Sequence, residues 1–364
     1  MVNKFVYIVI PLLLLSSLVS CTASDTSTQA KPDYWPTEQW RTAKPEAQGM
    51  DSATLEKIPE FIKDNGIQID SVLVVRHGYL VYEHYPNAVY DKDMVHIIHS
   101  VTKSVVSSCI GIAIREGYIK GIDAKFVDLF PDRTIQNLDD RKNSITLENV
   151  LTMKVGLEWD EWKYLYSDPR NHFIKMLRAP DPIQYVLDIP MMEDPGVRWN
   201  YNGGTSHVLS YLLGKTTGQD SLAFARKYLF EPMGIKDVDW TKDSHGVYNG
   251  GGGMYLKPRD MAKIGFLYLH DGVWDKKQLV PADFAKEAVS TKSTLGANSG
   301  YGYQSWWTWP LEESYYAAGL YGQRIFVAPK LDLVAVITTS LTSDPEANRW
   351  VNEILRNYVL AACE

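Results

Sequence analysis

Ser100-Val101-Thr102-Lys103-Ser104-Val105-Val106 opens a run that continues to Glu116 and stops at Gly117. Val105, Val106, Cys109, Ile110, Ala113 and Ile114 recur at helical spacing, which predicts a core-facing helix with a serine at its entrance. Three residues apart on such a helix, Ser100 and Lys103 share a face, and the amine can reach the hydroxyl. A lysine in an apolar pocket can lose its proton and become the base that an unassisted serine lacks. A serine at a helix N-terminus also aims free backbone N–H groups at developing negative charge. By chance alone, S-x-x-K occurs about once in a chain of this length, so the rest of the sequence must carry the reading.

Working outward, Ser71 to Val75 and Tyr79 to Tyr82 read as strands joined by Arg76-His77-Gly78, a hairpin signal. Before them, Asp51-Ser52 precede Leu55, Ile58, Phe61 and Ile62, which predicts one N-terminal helix ending at Gly66 despite Pro59. From about Ile119 to His245 helical patterns and loops dominate, including Ser206 to Thr216 and Ser221 to Leu229. Strand-like runs return at Arg324 to Val327 and Leu331 to Thr339, after which Asp344-Pro345 cap a last helix running toward Leu360. The expectation is an α+β fold: an antiparallel sheet built from both chain ends, with flanking helices and an inserted helical lobe at about 119–245.

Two further stretches bear on chemistry. Pro195-Gly196-Val197-Arg198-Trp199-Asn200-Tyr201-Asn202-Gly203-Gly204 puts a tyrosine in a glycine-bounded loop before a helix, where a phenol can reach across a cleft. Ala317-Ala318-Gly319-Leu320-Tyr321-Gly322-Gln323 supplies a glycine-spaced strand whose backbone can approach a substrate closely. In this order, the three elements resemble the S-x-x-K, Y-x-N and K-T-G motifs of serine β-lactamases and penicillin-binding proteins. Ser71 to Tyr85, Ile145 to Met153, Leu229 to Ile235 and Pro258 to Gly265 also resemble that superfamily, specifically its class C-like branch with esterases and 6-aminohexanoate-dimer hydrolases.

The resemblance, which covers roughly Ile67 to Thr339, implies a β-lactamase/transpeptidase-like fold and a serine hydrolase. By it, Ser100 attacks a carbonyl, Lys103 and Tyr201 move the proton to the leaving group, and the N–H groups of Ser100 and Leu320 bind the oxyanion. Water then releases the acyl group, with Tyr201 or Lys103 as base. The departures also count. Gly203 stands where Y-x-N has asparagine, and Ala317 and Ala318 stand where K-T-G has a cation and a hydroxyl, so the grip on a β-lactam carboxylate is missing. Gln323 after Gly322 is the form associated with the hydrolase and esterase branch.

The segment Leu157 to Tyr166 would overhang the cleft in that family. Trp159, Asp160 and Tyr164, with Gly319 and Gln323, are the candidate substrate contacts, the other reading of the aromatics being packing between lobes. A small-molecule ester or amide is the expected substrate, linear amides of short amino acids included. The alternative is a non-catalytic, lipid-anchored penicillin-recognising or envelope-binding protein of the same fold.

At the N-terminus, Lys4 and the apolar run Phe5 to Val19 read as a signal peptide over residues 1–20, shorter than the ~20 residues that span a bilayer. Leu18-Val19-Ser20-Cys21 resembles a lipobox, which implies lipidation at Cys21 and a periplasm-facing membrane anchor, on the outer membrane in a Gram-negative host. A plain secretory signal containing a cysteine is the alternative. A polar tether at 21–45 then precedes the hydrolase body at 46–364. The formal charge of −7, with no basic run, argues against a nucleic-acid partner. No cofactor is implied, and His96 and His99 lack a third ligand for a metal. The glycines Gly250 to Gly253 precede no G-K-[ST] and predict a tight turn beside the cleft, with Met254 to Leu256 extended. Cys109 reads as a buried small hydrophobe, and whether it meets Cys363 is left open.

Overall fold

The computed structural model describes residues 32–297, 299–309, 313–340 and 346–363. The expected signal peptide, Cys21 and the first part of the tether lie outside the described residues, as do Asp344-Pro345. Within the described residues no helix is long and apolar enough to cross a membrane.

Strands β1 (Ile69–Arg76) and β2 (Tyr79–His84) form the expected hairpin, closed by His77 (φ 49°) and Gly78 (φ 80°). Two successive positive φ angles match the twist of the flanking strands, and the second falls on a glycine. Three short strands, β3 (His96–Ile97), β4 (Asp239–Trp240) and β5 (Met254–Leu256), pair in the order β3-β5-β4, while β6 (Val273–Trp274) pairs with β7 (Lys277–Gln278). The late strands are β8 (Ser293–Thr294), β9 (Gly300–Tyr301), β10 (Trp306–Trp309), β11 (Ser314–Ala318), β12 (Arg324–Ala328) and β13 (Leu333–Thr339). They join the hairpin in one eight-stranded sheet ordered β2-β1-β13-β12-β11-β10-β9-β8. The first and last strands of that sheet in sequence are neighbours, with Val72 opposite Ile337 and Val74 opposite Ala335. Alternate residues of β1 enter two different cores: Leu73 and Val75 on one face, Val72 and Val74 on the other. A strand covered on both faces reads as a continuous aliphatic run, which Ser71-Val72-Leu73-Val74-Val75 is.

One face is covered by residues near both ends of the chain. The N-terminal helix is corrected to two, α1 (Ser52–Leu55) and α2 (Ile58–Asp64), with Pro59 in the first turn of the second. Pro59 has no N–H to give the Leu55 carbonyl and its ring crowds that carbonyl, so the chain breaks and restarts there. The other face carries α3 (Thr102–Arg115), the serine-led helix expected from sequence. After α3 in sequence come α4 (Asp140–Ser144), α5 (Leu147–Leu151), α6 (His172–Leu177), α7 (Pro182–Asp188), α8 (Gly203–Thr217) and α9 (Ser221–Ala225), all within residues 119–245. The remaining helices are α10 (Pro258–Leu269), α11 (Ala282–Val289) and α12 (Ala347–Ile354).

Helix α10 crosses the sheet closely at Gly265, where an added Cβ would stand 2.6 Å from Val334 Cγ1 and 2.8 Å from Ile325 Cγ2. Gly265→Ala is therefore expected to destabilise the fold by about 1–3 kcal/mol, overpacking outweighing the better helix propensity of alanine. A urea midpoint equal to wild type would show that α10 can ride outward without loss.

Residues 35–40, within the stretch expected as a tether, pack against the body. Trp35 stacks edge-on against Phe266, and Trp40 is buried with its indole N–H donating to the Arg259 carbonyl at 3.0 Å. Two indoles within a dozen residues supply enough apolar surface to hold the segment on the body. Cys109 is buried in α3 as a free thiol and so does not bridge to Cys363.

Candidate active site

The approach to Ser100 is set by β3, whose pairing with β5 is extended by the Ile98 N–H donating to the Met254 carbonyl at 2.9 Å. A single tight turn, His99–Val101, then turns the chain into α3. His99 takes a left-handed φ of 46° to make that turn, and Tyr321 across the cleft takes one of 63°; their rings meet edge to face at 5.6 Å. Two non-glycine residues in this region flank Ser100 and Leu320, a concentration of backbone strain typical of functional sites.

Lys103 lies in the first turn of α3, and its Nζ stands 3.0 Å from Ser100 Oγ. Lys103 is 1% exposed, and its amine also donates to the Gly251 carbonyl. That carbonyl belongs to the glycine turn, where bulk is excluded: a Cβ on Gly250 would lie 2.2 Å from the Ser206 carbonyl oxygen, and one on Gly251 would lie 2.8 Å from that of Gly203. The turn runs beside the cleft and is followed by extended β5, as expected from sequence. Its function is to press a backbone acceptor onto Lys103, which the sequence alone did not disclose.

Tyr201 precedes Asn202, whose side chain caps α8 by accepting from the Thr205 N–H at 3.0 Å. The helix thereby fixes the loop, and the Tyr201 hydroxyl donates to Ser100 Oγ at 2.6 Å. Lys103 Nζ lies 4.9 Å from the centre of the Tyr201 ring. A hydroxyl and an amine from one stretch and a phenol from a distant one are thus in mutual reach.

Burial drives the charge states apart. It pulls the Lys103 amine down to about 8, the charge of Glu161 opposing the fall. Burial, reinforced by Glu161 and opposed by the Ser100 hydrogen bond, raises the Tyr201 phenol above its ordinary range. Burial, then the charge of Lys103, lowers His99 to about 4, leaving it neutral at neutral pH.

The cluster opens into a cavity of about 370 Å³ whose wall includes Ser100, Glu161, Tyr166, Phe173, Gly251 and Leu320. The expected substrate contacts Trp159, Asp160, Tyr164, Gly319 and Gln323 are not among the residues that line this cavity. Trp159 is buried, its indole N–H donating to Glu161 Oε2 at 2.9 Å and its ring filling the space beside Gly204. Asp160 caps the N–H groups of Trp162 and Lys163, and with Tyr164 it lines a separate polar cleft. Gln323 is buried and donates to the Thr339 carbonyl at 2.8 Å, which holds β12 to the end of β13. Gly319 is a close-approach glycine: a Cβ there would lie 2.4 Å from the Ile98 carbonyl oxygen. From the overhanging segment the cavity instead receives Glu161 and Tyr166, and Trp162 stacks on Tyr201 at 5.6 Å.

This fold and this cluster define a serine hydrolase of the β-lactamase and penicillin-binding-protein class. A family model described as Beta-lactamase matches residues 55–357, and the chain belongs to that family. It is similar to the 6-aminohexanoate-dimer hydrolase of Paenarthrobacter ureafaciens, 24% identical over 302 residues that cover 77% of this chain and 74% of that protein. A solved structure from Bacillus anthracis, provisionally described as a 6-aminohexanoate-dimer hydrolase, superposes with a TM-score of 0.73 at 20% identity, over 92% of this chain and 89% of that one. EstCE1, described as a hydrolase with promiscuous acyltransferase activity, superposes with a TM-score of 0.70 at 14% identity, over 84% and 98%.

Proposed function

We propose that this protein hydrolyses esters or amides, linear amides of short amino acids among them, through an acyl-enzyme on Ser100. The observation that carries the reading is the convergence on Ser100 Oγ of Lys103 Nζ at 3.0 Å and the Tyr201 hydroxyl at 2.6 Å. With its amine near 8, Lys103 is neutral in a useful fraction of molecules at neutral pH and takes the serine proton as Oγ bonds to the substrate carbonyl carbon. The N–H groups of Ser100 and Leu320 receive the oxyanion. Tyr201 stays protonated; it gives its proton to the leaving group and regains one from Lys103. A water then attacks the acyl carbonyl as Lys103 takes its proton, and Lys103 passes that proton to Ser100 Oγ as the acyl C–O bond breaks.

Ala317 and Ala318 offer no charged or hydroxyl side chain to a carboxylate. Short-chain ester turnover with weak cephalosporin turnover is therefore expected, and efficient nitrocefin hydrolysis would contradict this reading of the two alanines. A base held beside the serine favours an enzyme over a binder, which has no use for one. Turnover of nitrophenyl esters and Ser100-dependent labelling by a fluorophosphonate test the choice; the absence of both would leave the binder. Because the neutral amine is the active form, kcat/KM is expected to rise with pH through a midpoint near 8 and then level off. A profile flat from pH 6 to 9 would remove Lys103 as the base.

A further inference from the structure

We propose that Glu161 is a positioning residue for the Ser100 reaction, a buried carboxylate that clamps the start of α8 and sets the proton balance of Lys103 and Tyr201. The proposal rests on the hydrolase reading above. Glu161 is 3% exposed and faces the cavity with Ser100. Oε2 accepts from the Trp159 indole N–H at 2.9 Å and from the Gly203 N–H at 2.6 Å, and Oε1 accepts from the Tyr166 hydroxyl at 2.7 Å. A buried carboxylate held by three donors is fixed in place.

Its position explains an anomaly of the sequence. Gly203 is the third residue of the Tyr201-Asn202-Gly203 motif, and a Cβ there would lie 2.8 Å from Glu161 Oε1 and 3.0 Å from Oε2. The carboxylate thus occupies the volume into which a side chain at 203 would project, and Gly203 and Glu161 form one device. The bond to the Gly203 N–H anchors the first turn of α8, two residues after Tyr201, so the clamp bears on the phenol through two links of backbone.

The groups around this carboxylate come from every neighbouring element: Lys103 from α3, Tyr201 from the loop before α8, Tyr301 from β9, His172 from α6, and Tyr166 from its own loop. His99 adds a neutral imidazole next to Lys103. Only Lys103 among these is cationic near neutral pH, and the negative charge of Glu161 opposes the fall that burial imposes on it. The same charge favours protonated Tyr201. Without it the lysine would lose its proton at lower pH and the phenol would hold its own less firmly.

The test is the pH dependence of kcat/KM for p-nitrophenyl butyrate in wild type, Glu161→Gln, Glu161→Asp and Gly203→Ala. Glu161→Gln is expected to move the alkaline-rising midpoint to lower pH and to lower the plateau by about 10- to 100-fold. Glu161→Asp keeps the charge and should leave the midpoint closer to wild type. Gly203→Ala pushes the carboxylate aside without removing it and should also displace the midpoint, which covers the case in which Glu161→Gln does not fold. A uniform loss of activity with every midpoint at the wild-type pH would mean that Glu161 only supports structure, and would overturn the proposal alone. A wild type that neither turns over the ester nor labels at Ser100 would overturn the hydrolase reading and this proposal together.

Discussion

Ser100→Ala is expected to lower kcat/KM by at least about 10⁴-fold and to abolish fluorophosphonate labelling. Among the described residues, Ser100 Oγ is the oxygen that receives Lys103 Nζ and the Tyr201 hydroxyl at once. The variant should fold. Ser100 is only half-buried, and the main loss is an acceptor for the buried Tyr201 hydroxyl, a cost of about 1–2 kcal/mol. Substantial activity in a folded Ser100→Ala protein would require a different nucleophile and would dismantle the mechanism.

Lys103→Met is expected to lower kcat by about 10²–10⁴-fold while removing the pH dependence that the amine imposes. It also has a signature in stability. The folded amine titrates near 8 and the unfolded one near 10.5, so between those values the unfolded chain binds more protons and wild-type stability rises with pH. The burial cost of the charged amine, in full force below pH 8, is thus relieved across that window. Methionine carries no such cost, so the stability of the variant relative to wild type should decline by about 3 kcal/mol between pH 8 and 10.5. Denaturant midpoints measured in parallel across that range check this; two curves with a constant offset would mean that the amine is not desolvated.

Much of this could be read in the sequence, and the limits have physical causes. Ser100 and Lys103 were legible because a three-residue separation fixes their geometry on any helix, and Tyr201 because a glycine-bounded loop precedes a recognisable helix start. The hairpin and the β12–β13 pair announced themselves as aliphatic runs between turn residues. The segment from Leu157 to Tyr166 was different. It alternates aromatics and acids with no helical or strand period, so the side that meets the cavity is decided by tertiary partners. Trp159 turns inward because Gly204 leaves room for its ring, and Glu161 turns to the cavity because Gly203 supplies a backbone donor. The one available signal was the Gly203-Gly204 pair itself, two missing side chains at a helix start where the motif carries asparagine. The break at Pro59 was equally local: the apolar spacing of one continuous helix overrode a residue that cannot continue it.

The placement of β1 between β2 and β13 bears on how the molecule comes into being. The hairpin is complete once residue 84 has left the ribosome, yet the central partner of β1 is not synthesised until residue 339. Some 250 intervening residues must therefore wait with an aliphatic strand edge unmatched, and closing so long a loop makes the assembly slow. Vectorial synthesis cannot finish this sheet piecemeal, and a nascent chain truncated before β13 presents a sticky edge of the kind that chaperones engage.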